Sequence, residues 1–452
     1  MAHHCREFTR SHLLRGAAAE AGRGLPRVEP GMPLPAGTGL SRRSFLMRSG
    51  GAMLSVYGAS KLGFGALEEG IAQAAAAPDS PVLLTVFLDG GADSLSILSP
   101  TTDSLYKKLR GELAVPAGAG TAFGEDERLR WAPSAAAMSR LHAAGKVSVF
   151  PAIGYASPDQ SHFTSRHYWE VGQLSAQART GWMGRLIDVV GSASNPLQGL
   201  SLDGWLSPAL ASDRNPVAAI DGTEYEFWTQ GVWDEHEDPM FDAVGALGRA
   251  AVAGGDPGLA TAGATADRAA TLRRDLRSFS ADASAVSYPD DRFAERLAGL
   301  ASMLDAGLPI RCASISAPGG YDTHDSQADS FDRDIKLTFD SIAAFQADLE
   351  NRGLDGRVMT LVWSEFGRRP ESTGGGTDHG AAGSAFLVGS RAAGTMVGEF
   401  PGLQNLDADD NLRSTSDFRS LYCSLLEQWF DVDAAQVMPG AGGFARPTLI
   451  GA

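Results

Sequence analysis

The chain has 452 residues, of which 43% are hydrophobic and 20% are charged, so it can form one large or two modest domains with a substantial core. Its formal net charge is −16, and residues 77–452 alone carry −20 because residues 1–76 hold a net charge of +4. A strongly acidic protein lacks the basic surface that phosphate backbones require, so we expect no nucleic-acid partner. Adhesion to anionic lipid is disfavoured for the same reason.

Residues 1–76 have the features of a leader that ends in an export signal. An Arg-Arg pair stands in the sequence SRRSFLM at residues 41–47, ahead of a weakly apolar stretch, and small residues that suit cleavage follow near Ala74 and Ala76. This pattern predicts a twin-arginine signal peptide, the twin-arginine export machinery as a partner, and a periplasmic or extracellular location. The stretch is short, rich in glycine and interrupted by Lys61, so we expect no stable membrane anchor.

Five short apolar runs predict buried strands, at residues 81–88, 146–153, 310–317, 357–363 and 385–389. Helical segments lie between several of them. The clearest, residues 328–352, carries apolar residues at three- and four-residue steps up to a stop at Gly353. Apolar strands that alternate with helices are typical of a mostly parallel sheet covered on both faces, so we predict an α/β three-layer sandwich. Its active site should lie at the carboxyl ends of the strands.

The middle of the chain, residues 191–291, has a different composition, rich in Ala, Gly, Ser and Asp. We predict an insertion or cap region there, with a flexible segment near residues 254–265. The region also contains three tryptophans, Trp205, Trp228 and Trp233.

A terminal helix is predicted at residues 416–430, with Ser416 as its N-cap. After the leader the chain contains two cysteines, Cys312 in a predicted strand and Cys423 in this helix. They do not form a CxxC pair, so the sequence allows either one disulfide or two buried free thiols.

Four polar clusters directly follow predicted strands, and they hold the candidate functional residues. They read DGGADSLS at residues 89–96, DQSHFTSRH at 159–167, YDTHDSQ at 321–327 and SEFGRRPESTGGGTDHG at 364–380. Carboxylates bind hard divalent ions and imidazoles favour zinc or manganese, and both ligand types are present. A metal held here could polarise a phosphoryl or sulfuryl oxygen, which suits hydrolysis of a charged ester.

Three of these clusters also have a purely structural interpretation. Residues 89–96 could form a turn that caps the next helix, and Asp322 could be a helix cap with His324 as a loop histidine. Ser161 is most economically an N-cap. As a nucleophile it would gain from helix amides that face an anion.

The fourth cluster is harder to explain by structure alone. Glu365 could form an ion pair with Arg368 or Arg369. However, a loop of three glycines that carries Asp378 and His379 has little packing value. The occurrence of all four clusters at strand ends therefore favours a functional site.

The motifs in these clusters resemble those of the domain-of-unknown-function 1501 family, exported proteins with a twin-arginine leader. The matching segments are FLDGGADSLS, QSHFTSRHYWEVGQ, TGWMGRLID, GGYDTHDSQ, WSEFGRRPESTGGGTDHG and DFRSLYCSLLEQWF. That family has no settled biochemical role and is similar to the alkaline phosphatase and sulfatase superfamily of metal-dependent hydrolases. The resemblance implies an alkaline phosphatase-like domain over residues 77–452 and a class of reaction, without a substrate.

The resemblance also implies roles for individual residues. Ser161 falls at the position of the superfamily nucleophile, and Asp93 resembles an aspartate that bridges metals. The other implied or candidate metal ligands are Asp322, His324, Glu365, Asp378 and His379.

This chain departs from the superfamily pattern in two places. Asp322 and His324 are two residues apart, where a helical turn commonly separates the pair, and Phe366 stands where the acidic ligand is commonly followed by histidine. Three outcomes stay open: a single metal, a site completed by Asp378 and His162, or a decayed site.

The leading hypothesis is an exported hydrolase that requires a divalent metal, either zinc, manganese or calcium. It would act on a small anionic phosphate or sulfate ester through Ser161 or a metal-bound water, with Arg185 and Arg368 steadying the anion. The first alternative is a non-catalytic exported binding or assembly protein on the same fold. A weaker one is a carbohydrate-associated binder that uses the tryptophan-rich middle.

Overall fold

The computed structural model describes residues 31–37, 47–49, 52–57, 79–193, 195–221, 234–254 and 284–451. The Arg-Arg pair, the predicted cleavage positions, Trp228, Trp233 and residues 255–265 of the predicted flexible segment lie outside these residues. The predictions made on them stay predictions.

The described residues form strands and helices that we number in chain order. The strands are β1 Met47–Ser49, β2 Ala52–Tyr57, β3 Val82–Phe87, β4 Leu98–Ser99, β5 Thr121–Ala122, β6 Arg130–Trp131, β7 Val147–Gly154, β8 Gly199–Ser201, β9 Val217–Asp221, β10 Cys312–Ser316, β11 Val358–Trp363, β12 Arg368–Ser372, β13 Thr377–His379, β14 Gly383–Val388 and β15 Ser416–Asp417. The helices are α1 Ser104–Arg110, α2 Ala136–Ala143, α3 His162–Val171, α4 Trp182–Val190, α5 Asp234–Ala253, α6 Arg292–Asp305, α7 Gln327–Asn351 and α8 Phe418–Gln428. None of the helices described is long and apolar enough to cross a membrane.

Ten strands form the central sheet, in the order β1-β2-β9-β8-β10-β3-β11-β14-β7-β15. Strands β9, β8, β10, β3 and β11 are parallel to one another, and β7 and β15 share their direction. Strands β2 and β14 run the opposite way. This confirms the predicted mostly parallel sheet, and the five predicted strands agree with β3, β7, β10, β11 and β14 within two residues at each end.

Helices cover both faces of the sheet, which confirms the three-layer arrangement. On one face, Leu84 of β3 belongs to the same core as Ile335 of α7. On the other face, Leu83 belongs to a second core with Leu186 of α4. All four side chains are fully buried, and each contributes roughly 1.5–3 kcal/mol of hydrophobic stabilisation. The alternation of these residues therefore fixes β3 between two layers.

Two segments join the sheet where the sequence pattern predicts other roles. Strands β8 and β9 lie inside residues 191–291, so this part of the predicted insertion belongs to the central sheet. Strands β1 and β2 lie inside the predicted leader, and β2 pairs with β9 along the edge of the sheet. Tyr57 at the end of β2 is buried. Cleavage of the leader stays a prediction.

The terminal helix and the cysteines refine two further predictions. The N-cap of α8 is Asp417, whose carboxylate accepts from the N–H of Arg419 at 2.8 Å, while Ser416 pairs with β7. Cys312 and Cys423 are both buried free thiols, so the disulfide alternative is excluded. Burial raises the pKa of Cys312 to about 12 and that of Cys423 to about 11. Both thiols therefore pack as small neutral groups.

Candidate metal centre

The candidate site lies at the carboxyl ends of neighbouring parallel strands, where the sequence predicts it. Strand β3 leads into the loop of Gly90, β10 leads towards Asp322, and β11 ends just before Glu365. The hairpin of β12 and β13 ends at His379, and α3, which follows β7, begins at His162. Five separate parts of the chain thus meet at one edge of the sheet.

One oxygen of Asp322 is surrounded by nitrogen atoms. Its Oδ1 lies 3.4 Å from Nε2 of His162, 3.1 Å from Nε2 of His324 and 3.3 Å from Nε2 of His379. The same oxygen accepts from Nη2 of Arg368 at 2.7 Å. Nε2 of His324 and Nε2 of His379 are only 3.0 Å apart. The side chains therefore point at a common volume.

The second nitrogen of each of these histidines faces an oxygen that can only accept. The pairs are His162 with Oε1 of Glu365 at 2.8 Å, His324 with Oδ1 of Asp378 at 3.2 Å, and His379 with the carbonyl of Gln160 at 2.7 Å. Each Nδ1 is therefore placed to donate, and a ring in this tautomer presents a lone pair at Nε2. Three lone pairs and a carboxylate oxygen converge, and such a cluster of acceptors is stabilised by a cation.

The spacing of these atoms fits a metal ion. Bonds of 2.0–2.1 Å in a tetrahedral zinc site place two ligand atoms about 3.3 Å apart. Here the Nε2 atoms lie 3.1 to 3.4 Å from Oδ1 of Asp322. Ligand atoms of His162, Asp322 and His379 all lie within 4.8 Å of one another. These three residues can hold one ion, and Nε2 of His324 lies beside two of them.

Charge interactions keep the central carboxylate ionised. Burial acts to raise the pKa of Asp322, but the close imidazole groups of His162, His324 and His379 outweigh it and hold that pKa below its ordinary value. An ionised carboxylate is the form that binds a metal.

Glu365, a candidate ligand in the sequence, supports the centre from behind His162. Its carboxylate accepts from the N–H groups of Gly90 at 3.1 Å and Gly91 at 3.0 Å, and from the hydroxyl of Ser364 at 3.0 Å. Although burial acts to raise the pKa of Glu365, the hydrogen bond with His162 and the backbone amides lower it. The structure thus gives Glu365 the role of orienting an imidazole.

Asp378 has a similar role on the open side of the centre. Its side chain is 46% exposed and faces Nδ1 of His324, whose side chain is 19% exposed. The carboxylate therefore orients His324, and we place it outside the ligand set. This exposed side is where a ligand can approach.

Asp93 is not brought to the centre. It is fully buried against Arg110, which donates to both carboxylate oxygens, and it also accepts from Ser96 at 2.7 Å and Gln327 at 2.6 Å. Burial acts to raise the pKa of Asp93, but Arg110 and the hydrogen bonds lower it below its ordinary value. Both oxygens of Asp93 already accept hydrogen bonds from protein groups, so this carboxylate has a structural role. The metal-bridging role that the resemblance implied is not supported.

The guanidinium groups of the two arginines expected to steady an anion already have protein partners. Arg185 donates to the carbonyls of Val437 at 2.5 Å, Thr180 at 2.7 Å and Val171 at 2.8 Å. Val171 is the last residue of α3. Arg368 donates to backbone carbonyls and to Asp322. The structure therefore gives both guanidinium groups structural partners.

Ser161, the candidate nucleophile, is the N-cap of α3. Its Oγ accepts from the N–H groups of Phe163 at 3.2 Å and Thr164 at 3.4 Å. This cap fixes the first turn of the helix and thereby directs His162, the next residue, into the centre.

His162 and Phe366 have roles in the centre that the sequence did not clearly indicate. The sequence indicated His162 only as an alternative ligand, although the Ser-His pair at a helix start was the available signal.

The ring of Phe366 packs beside His162 and His379, with centroids 4.9 and 4.8 Å away. Gly91, at φ +74°, has to be glycine because a Cβ would overlap this ring. Phe366 therefore closes one side of the centre.

Comparison with known proteins identifies the family. Residues 156–427 match the model of a family described as a protein of unknown function, DUF1501. The chain belongs to the DUF1501 family. The matched range contains the three histidines, Asp322 and Glu365. No curated protein matches this DUF1501 chain significantly.

Solved structures give distant similarities to this DUF1501 protein. A crystal structure of PsFucS1 sulfatase from Pseudoalteromonas sp. is 11% identical, with a TM-score of 0.33 over 84% of this chain and 77% of that one. The C-terminal periplasmic domain of EcEptC from Escherichia coli, in complex with zinc, is 8% identical, with a TM-score of 0.33 over 80% of this chain and 87% of that one. Both similarities are too distant to transfer an activity.

Proposed function

We propose that this DUF1501 protein is a metal-dependent hydrolase of phosphate or sulfate esters. The observation that supports this most is the convergence of three histidine Nε2 atoms on Oδ1 of Asp322 at the strand ends. A ligand set rich in imidazole favours zinc or manganese over calcium, which takes oxygen ligands. When bound, the ion would polarise an ester oxygen and stabilise the negative charge that develops there.

The residues of the chain prepare the site for an anionic substrate. His162, Asp322 and His379 hold the ion, and the oxygens that face each Nδ1 keep these two rings and that of His324 in the required tautomer. The substrate approaches past His324 and Asp378, the exposed side, while the buried ring of Phe366 excludes water beside His162 and His379. The positive end of the α3 dipole, which begins at His162, favours an anion there.

Water is the attacking group in this proposal. The Oγ of Ser161 accepts two N–H groups of α3 and so caps this helix, and we assign it that role. Ser161 then acts on the reaction only by positioning His162.

The test combines metal analysis with an activity assay. The protein is purified without chelator, its metal content is measured, and hydrolysis of aryl phosphate and aryl sulfate esters is assayed for wild type, His379→Ala and His236→Ala. His236 is an exposed residue of α5 and serves as the matched control. We expect stoichiometric metal and activity in wild type and His236→Ala, and the loss of both in His379→Ala.

Two results contradict the proposal. Wild-type protein that contains no stoichiometric metal would contradict the metal centre on which the proposed hydrolysis depends. Stoichiometric metal without activity on either ester class would favour the non-catalytic binding or assembly protein.

We also propose export through the twin-arginine machinery, because the Arg-Arg pair of residues 41–47 precedes a weakly apolar stretch. Replacement of Arg42 and Arg43 by lysine should leave the protein in the cytoplasm, as measured by cell fractionation. Continued export of this double variant would contradict the proposal.

A further inference from the structure

Arg368 is a fully buried cation that connects the loops carrying the metal ligands. Its guanidinium donates to four backbone carbonyls, those of Gly90, Gly91, Tyr321 and Thr377. These carbonyls belong to the segment after β3, the segment after β10 and the first residue of β13. A planar guanidinium presents five N–H donors that can reach several carbonyls at once, whereas the compact ammonium group of lysine cannot.

The same side chain bonds directly to a ligand. Nη2 of Arg368 lies 2.7 Å from Oδ1 of Asp322, the oxygen that the three histidines surround. The ligand carboxylate therefore carries a permanent positive partner before a metal binds. A second divalent ion on this carboxylate would be repelled both by the first ion and by the guanidinium.

Two other carboxylates near the described strand ends, Asp93 and Glu365, already have protein partners. Asp93 is occupied by Arg110, Ser96 and Gln327, and Glu365 is occupied by amides, a hydroxyl and an imidazole. On the remaining side the ring of Phe366 fills the space beside two of the histidines.

We propose that Arg368 is the permanent second cation of this centre, positioning Asp322 and limiting the centre to one metal ion. This inference rests on the metal site of the proposed function, but it does not depend on ester hydrolysis. Arg368 is a positioning residue here, because it acts through Asp322.

Calorimetric zinc titration of the full chain after removal of bound metal tests the inference, with zinc content measured after gel filtration. We expect one zinc per chain in wild type. Arg368→Lys keeps the positive charge but loses the planar set of N–H donors, so the zinc dissociation constant of this variant should rise about 10–100-fold. Arg369→Lys, a change of the same kind at the half-buried neighbouring position, should bind zinc as wild type does.

The outcomes separate this inference from the proposed function. Two zinc ions per wild-type chain, or wild-type affinity in Arg368→Lys, would overturn the inference. If Arg368→Lys fails to fold, as judged by circular dichroism, the wild-type stoichiometry still decides. One zinc per chain without ester hydrolysis would contradict the proposed function and leave the inference standing, whereas no zinc binding would contradict both.

Discussion

The three histidines of the centre differ in how firmly their Nδ1 protons are held. His162 faces the fully buried carboxylate of Glu365 at 2.8 Å, whereas His324 faces the carboxylate of Asp378, which is 46% exposed, at 3.2 Å. A hydrogen bond to an exposed carboxylate is weakened by solvent, so it orients a ring less strongly than a buried one does. The two carboxylates should therefore contribute unequally to metal binding.

This difference predicts the order of two conservative substitutions. Glu365→Gln should weaken zinc binding about 10–100-fold, because the supporting charge behind His162 is lost. Asp378→Asn should weaken it less than about 10-fold, since solvent already screens that carboxylate. Zinc titration by calorimetry measures both. A larger effect in Asp378→Asn would contradict the ranking.

Asp93 gives a prediction that separates a structural carboxylate from a metal ligand. Asp93→Asn leaves Arg110 buried without its charge partner, so the variant should lose about 3–5 kcal/mol of unfolding free energy at pH 7. Its zinc stoichiometry should not change. Denaturant unfolding and zinc titration measure the two quantities, and loss of zinc from a folded variant would return Asp93 to the ligand set.

The pH dependence of this pair follows from the lowered pKa of Asp93. A lowered pKa means that the stabilisation is present above the unfolded value of about 3.9 and is lost as the pH falls through the folded value. The difference between wild type and Asp93→Asn should therefore be constant above about pH 5 and shrink below about pH 4. A difference that disappears already near neutral pH would contradict this assignment.

At the scale of elements, α3 shows how a cap can serve a site. Ser161→Ala removes the acceptor for the first N–H groups of the helix, which should cost about 1 kcal/mol of stability. Because water attacks in our proposal, ester hydrolysis should persist, reduced only by the looser placement of His162. Thermal unfolding and the ester assay test this together. Abolished activity with unchanged stability would make Ser161 the nucleophile.

The strands and long helices were predictable because each depends on a local pattern. The apolar run that became β3 and the three- and four-residue spacing that became α7 are visible in single segments. The N-cap of α8 was misplaced by one residue, since Ser416 and Asp417 both have cap chemistry and tertiary pairing with β7 decided between them.

The site was predictable only in part. Strand ends located Asp322, His324 and His379 correctly at one edge of the sheet. The partners of Asp93 and Glu365 were not visible, because Arg110 lies 17 residues after Asp93 and His162 lies 203 residues before Glu365. Long-range pairing of this kind leaves no spacing pattern in the sequence.

At the scale of the whole molecule, a metal that binds the folded chain must raise its stability. The ligands come from α3, the segment after β10 and β13, which meet only when the sheet has formed. Zinc at about 100 times its dissociation constant should therefore add about 2.7 kcal/mol. In thermal unfolding, zinc should raise the midpoint temperature of wild type and leave that of His379→Ala unchanged. Equal shifts of the midpoint in both proteins would contradict the site.

Anomalous diffraction at the zinc edge, from crystals of the zinc-loaded protein, tests the metal centre directly. We predict one peak per chain, about 2.0–2.2 Å from Nε2 of His162, Nε2 of His379 and Oδ1 of Asp322. A crystal without a peak among these atoms, or with zinc bound at other residues, would contradict this metal centre.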